Sequence, residues 1–112
     1  MSTGFATEAE HVVDLGGLSA SDIARATSAD PTTVRAWIRG NRSPSGRNAE
    51  RLVELSSVVE RLSTVMAKDY IRVWLLKPSA VLEEDKPLDV VAEGRYRDVL
   101  RLVAALESTA MS

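Results

Sequence analysis

The sequence predicts an all-α chain: an N-terminal helix-turn-helix unit (1–47) packed through a long connecting helix (48–66) onto a small C-terminal helical domain (67–112). Three observations carry that prediction. From Ile23 to Gly40 the chain reads as two short helices about a tight turn, with start and stop residues in place. From Asn48 onward, apolar residues recur at three- and four-residue steps, the period of a helix. Between 41 and 112 nothing alternates with period two over a useful length, so no strand is expected.

The elements follow in order. Met1 to Thr3 read as frayed, and Phe5 to Leu15 as a first helix turning Phe5, Ala9, Val12 and Val13 inward until Gly16-Gly17 breaks it. Ser19 with Asp22 three residues on forms a capping box, preceded by apolar Leu18. Asp30 can cap the next helix with its carboxylate, Pro31 occupies the first helical position, where a missing N–H costs nothing, and Gly40 can stop the helix in a left-handed conformation. Val34, Trp37 and Ile38 fall on one inward face, leaving Thr32, Thr33, Arg35, Ala36 and Arg39 outward. The spacing makes Trp37 a core residue rather than a stacking platform.

Residues 41–47 are a polar turn broken by Pro44 and Gly46. Leu52, Leu55, Val59, Leu62 and Met66 then mark a helix over 48–66, roughly 28 Å long at 1.5 Å per residue, with Val58 and Val65 widening its stripe. The stripe is shorter than three heptads, which favours packing within the chain, with or without a dimer contact, over a coiled coil. Lys68 to Leu76 form another helix, with Tyr70, Ile71, Trp74 and Leu75 on or near its buried side, ended by Pro78. Leu82 sits in a short turn or helix, Lys86-Pro87 restarts a brief helix with apolar Leu88, Val90 and Val91, and Gly94 closes it. Arg95 to about Ser108 is the last helix, with Tyr96, Val99, Leu102, Val103 and Leu106 inward and Arg97, Arg101 and Glu107 outward.

At 112 residues and 45% hydrophobic content, the chain suits one compact domain or two small helical units sharing a core. It has no cysteine, hence no disulfide, thiolate metal site or thiol nucleophile. The start lacks the basic segment and apolar run of a signal peptide, and no stretch approaches the roughly 20 apolar residues that span a bilayer, so a cytoplasmic protein without membrane contact is expected. The single histidine, His11, has no companions at ligand spacing, and Glu83-Glu84-Asp85 reads as a solvated loop rather than a carboxylate pair. No metal, cofactor or catalytic activity is expected. The net charge of −2 hides an asymmetry: 1–24 carry four acids and no Lys or Arg, 25–51 carry six arginines against Asp30 and Glu50, and 52–112 carry a net of −2. The positive charge lies on and just beyond the second helix of the helix-turn-helix, where phosphate contacts would be wanted.

Ile23-Ala24, Thr33-Val34, Trp37 and Gly40 resemble the Xre-like repressor domains, with Thr27-Ser28-Ala29 replacing that pattern's Leu-Gly-Val turn. Such a recognition helix, laid in the major groove, brings Thr32, Thr33, Arg35 and Ala36 nearest the base edges. Arg39, Arg42 and Arg47 are placed for backbone phosphates.

Residues 71–107 resemble the toxin-binding domain of the Xre/MbcA/ParS-type antitoxins. The matching residues are Trp74-Leu75, Pro78-Ser79, Leu82, Pro87-Leu88-Asp89-Val90-Val91, Gly94 and the helix from Tyr96 to Leu106. Ser79 stands where that pattern has Asn, and Glu84-Asp85-Lys86 where it often has Gly; Glu107 to Ser112 replace a frequent Gly near the end of the last helix. The resemblance implies an antitoxin for a RES-domain toxin that degrades NAD, blocked by direct binding with the C-terminal segment at or near its active-site entrance. It also implies operator binding and autorepression. On that footing Arg95, Arg97, Arg101, Glu107, Ala110, Met111 and Ser112 are the candidate toxin contacts, although the three arginines can equally pair within the chain. The assembly implied is a homodimer or a larger toxin–antitoxin hetero-oligomer. The competing reading is a transcriptional regulator whose C-terminal half only dimerises.

Overall fold

The computed structural model describes residues 4–110, with side chains from 8 to 109. Among these the fold is all-helical: α1 (Gly4–Gly16), α2 (Ala20–Thr27), α3 (Pro31–Arg39), α4 (Gly46–Leu62), α5 (Lys68–Leu76), a 3₁₀ turn (Ala80–Leu82), α6 (Pro87–Ala92) and α7 (Tyr96–Ala110). The side chains of Phe5 and Ala110, and residues Met1 to Thr3, Met111 and Ser112, lie outside the described set.

Local chemistry sets most boundaries. The Asp22 N–H donates to Ser19 Oγ at 3.1 Å, and the Ser19 N–H donates back to Asp22 Oδ2 at 3.0 Å, closing the capping box of α2. The Thr32 N–H donates to Asp30 Oδ1 at 3.1 Å, opening α3 with Pro31 in its first turn. Gly40, at φ +79°, ends α3. In the turn between α2 and α3, Ser28 takes φ +61° and the Thr27 hydroxyl donates to the Ile23 carbonyl at 2.8 Å. Asn48 Nδ2 donates to the Thr27 carbonyl at 3.1 Å, tying the turn to α4.

α4 begins two residues before the expected Asn48 and ends at Leu62 rather than Met66. Its early stop has a physical cause. The hydroxyls of Ser63 and Thr64 donate to the carbonyls of Glu60 and Arg61 at 2.6 and 2.7 Å, competing with continued helix. Met66 still packs against the core from the turn that follows.

A single apolar cluster runs from Ala9 on α1 to Val103 on α7. α4 is its axis: Leu52, Leu55, Val58, Val59 and Leu62 are fully buried among α1, α2, α6 and α7. Burial of each such side chain contributes about 1.5–3 kcal/mol. Trp37 is core, as expected. Tyr70 is not: it is 47% exposed, because nine-residue α5 turns only Ile71 and Leu75 fully inward. Ser79 and Asp85 pair in an isolated bridge that closes the loop carrying the 3₁₀ turn. Gly94, at φ +87°, connects α6 to α7, and a Cβ there would stand 2.6 Å from Arg51 Nη2.

Candidate functional site

Two surfaces gather the residues singled out in the sequence. The first is built on α3 and the turn after it. Thr32, Arg35, Arg39, Arg42 and Arg47 are exposed, while Thr33 and Ala36 are half-buried on the shoulders of α3. Val34 and Trp37 anchor the opposite side of the helix in the core, so the outward face is fixed in direction. A polar cavity of about 340 Å³, walled by Ser28, Asp30, Thr33, Arg42, Ser43 and Asn48, lies beside it.

The arginines divide into two kinds. Arg25 reaches Asp89 at 2.6 Å, Arg51 reaches Glu54 at 2.9 Å, Arg72 reaches Asp22 at 2.6 Å, and Arg61 pairs with Glu107. Arg95 and Arg101 share Asp98, at 3.1 and 2.6 Å, and Arg97 lies 5.9 Å from the centre of the Tyr96 ring. Among the described residues, Arg35, Arg39, Arg42 and Arg47 have no ion pair. Four arginines without an ion pair thus share the α3 surface and the turn after it, an arrangement an anionic backbone attracts.

The second surface lies on α5, α6 and α7. Of its sequence-predicted contacts, Arg95, Arg101 and Glu107 are engaged within the chain, Arg97 stacks on its neighbour, and the Ala110 side chain with Met111 and Ser112 lies outside the described residues. Sequence reasoning missed an apolar groove of about 350 Å³, walled by Tyr70, Trp74, Pro78, Pro87, Leu102 and Leu106. A signal for it was present. Six of the nine residues of α5 are apolar, more than one buried face can use, and Val73 is left 51% exposed beside Tyr70.

Ion pairs join the elements beneath these surfaces. For Asp22, burial pushes the carboxyl up, but Arg72 and Ser19 outweigh it and hold it below the ordinary carboxylate range. The Arg61 guanidinium likewise lowers Glu107. His11 lies 3.6 Å from Glu60, and among the described residues no three His, Cys, Asp or Glu side chains cluster as metal ligands. Glu83 and Glu84 take left-handed backbone conformations on the exposed loop of the Ser79–Asp85 bridge, where they shape a turn. No helix among the described residues is long and apolar enough to cross a membrane.

No family model matches the chain. It is 36% identical over 90 residues to the mycobacterial cidal antitoxin MbcA of Mycobacterium tuberculosis, covering 80% of each chain. It is 30% identical over 97 residues to the probable mycobacterial cidal antitoxin Rv3188 of the same species, covering 84% of this chain and 83% of that one. The fold superposes on a chain of the crystal structure of the M. tuberculosis MbcT–MbcA toxin–antitoxin complex with a TM-score of 0.86, at 31% identity and 96% coverage of both chains.

Proposed function

The chain belongs to the MbcA antitoxin family, and on that premise we propose that it neutralises a RES-domain, NAD-degrading toxin by occluding the toxin's active site, and represses its own operon through α2 and α3. The observation that carries the first part is the near-complete superposition on a chain from the MbcT–MbcA complex, with a relative named as an antitoxin. Occlusion needs occupancy of the substrate path and no catalytic group on the inhibitor. The segment 107–112, with mostly small side chains, suits a cleft that a globular face does not enter. The apolar groove on α5 and α7 lies at the base of that segment and offers adjoining contact area.

Operator binding draws on a different observation, the four arginines on the α3 surface that no carboxylate compensates. Thr32, Thr33, Arg35 and Ala36 would face base edges, with Arg39, Arg42 and Arg47 on phosphates. A homodimer matches a palindromic operator. The same arginines also favour a second reading, a transcriptional regulator whose C-terminal half only dimerises.

Co-purification of the tagged chain from its native cell, with mass spectrometry of what accompanies it, separates the two. Antitoxin function predicts a RES-domain protein at stoichiometric yield. Recovery of the chain alone with a specific promoter fragment supports the regulator and overturns the antitoxin reading.

A further inference from the structure

Arg61 stands in the last turn of α4, and Glu107 lies on α7, 46 residues later. Arg61 Nε donates to Glu107 Oε2 at 3.2 Å while Nη2 donates to Oε1, so the two planar groups meet by two prongs. A two-pronged pair fixes orientation as well as distance. Its position on α7 gives that orientation a use. Val103 is fully buried, whereas from Ala104 to Thr109 no side chain is, and Leu106 only rests against the core. Helix ends without a packed face fray.

Charge adds to the need for a clamp. A carboxylate near the C-terminal end of a helix meets the negative end of its dipole, and α7 has no basic residue in its last turn. Arg61 supplies the missing cation from a neighbouring helix. It does so from the last turn of α4, where a cation is itself favoured.

We infer that Arg61 is a positioning residue for inhibition: by clamping Glu107 it sets the direction in which the segment after Glu107 is presented to the toxin. This rests on the proposed reading that the C-terminal segment engages the toxin, here through the residues after Glu107, with Glu107 itself held by Arg61. Arg61 acts through Glu107, which becomes a fixed post at the end of α7. Without the clamp, the end of α7 must be ordered at the moment of binding, which weakens affinity.

The test uses the full chain and the toxin that co-purifies with it, in four forms: wild type, R61E, E107R and the charge swap R61E/E107R. Each single variant is expected to lose about tenfold in toxin affinity, equivalent to about 1.4 kcal/mol, and the swap to recover most of it. In the free chain, amides 106–109 should exchange faster in the single variants and return to wild-type rates in the swap. Core amides such as Leu52 and Val59 should stay unchanged in all four, which a general loss of stability would not allow. Single variants that bind like wild type overturn the inference alone. A swap that restores exchange but not affinity also overturns it, since Arg61 or Glu107 would then touch the toxin directly. A wild-type chain with which no toxin co-purifies overturns the proposed function and this inference together.

Discussion

Asp22 serves two helices at once. Its carboxylate closes the capping box of α2 and receives Arg72 from α5, with Nε at 2.6 Å. Because its folded pKa lies below the ordinary carboxylate range, the unfolded chain takes up a proton first as pH falls. The stability it contributes is therefore full above that range and is lost as pH drops through the lower folded value. D22N is expected to cost about 1–2 kcal/mol at neutral pH. In denaturant titrations the gap between wild type and variant should narrow as pH falls from about 5 to about 2. Gly94 makes a second residue-level case. Gly40 and Gly94 both take positive φ, yet a Cβ at Gly40 meets nothing within 4 Å, while one at Gly94 meets the Arg51 guanidinium. G40A should cost about 1 kcal/mol of backbone strain. G94A should cost about 1 kcal/mol more in the same thermal-unfolding measurement, as a steric overlap of this kind does, and the excess should vanish in an R51A background.

Among the elements, α3 carries the sharpest prediction. R39A and R42A are expected to weaken binding to all DNA sequences and each to lower the salt slope by about 1. Thr33→Ala and R35A should mainly relax preference for the operator over random DNA. Unchanged affinity and salt slope in all four would place DNA elsewhere. The same elements show what could be read from the sequence. Helix starts and stops were legible at Ser19 with Asp22, Asp30 with Pro31, Gly40 and Gly94, because a cap is local chemistry between residues a few positions apart. The end of α4 was not, since Val65 and Met66 continue the apolar period while two hydroxyls stop the helix. Periodicity placed Glu107 outward but could not show its pairing with Arg61. That contact depends on how α4 and α7 cross, which no local pattern encodes.

At the scale of the whole molecule, one core spans both halves, the pairs Arg25–Asp89 and Arg72–Asp22 cross between them, and Arg61–Glu107 ties α4 to α7. The all-helical fold and the core faces were legible because apolar residues recur at helical period along most of the chain. The two candidate surfaces were legible to different degrees. The α3 face shows as a local run of arginines, whereas the groove of Tyr70, Trp74 and Leu102 forms only where α5, the start of α6 and α7 come together. Deleting 107–112 removes no fully buried side chain among those described, so the shortened chain should fold with a small loss of Tm and inhibit its toxin less well. The most direct measurement is the rate of NAD consumption by whatever toxin co-purifies, as purified chain is added back. Neutralisation by occlusion predicts a fall to background at the stoichiometry of the complex, and an incomplete fall with the 107–112 deletion. A toxin that consumes NAD at full rate while saturated with the intact chain would contradict it.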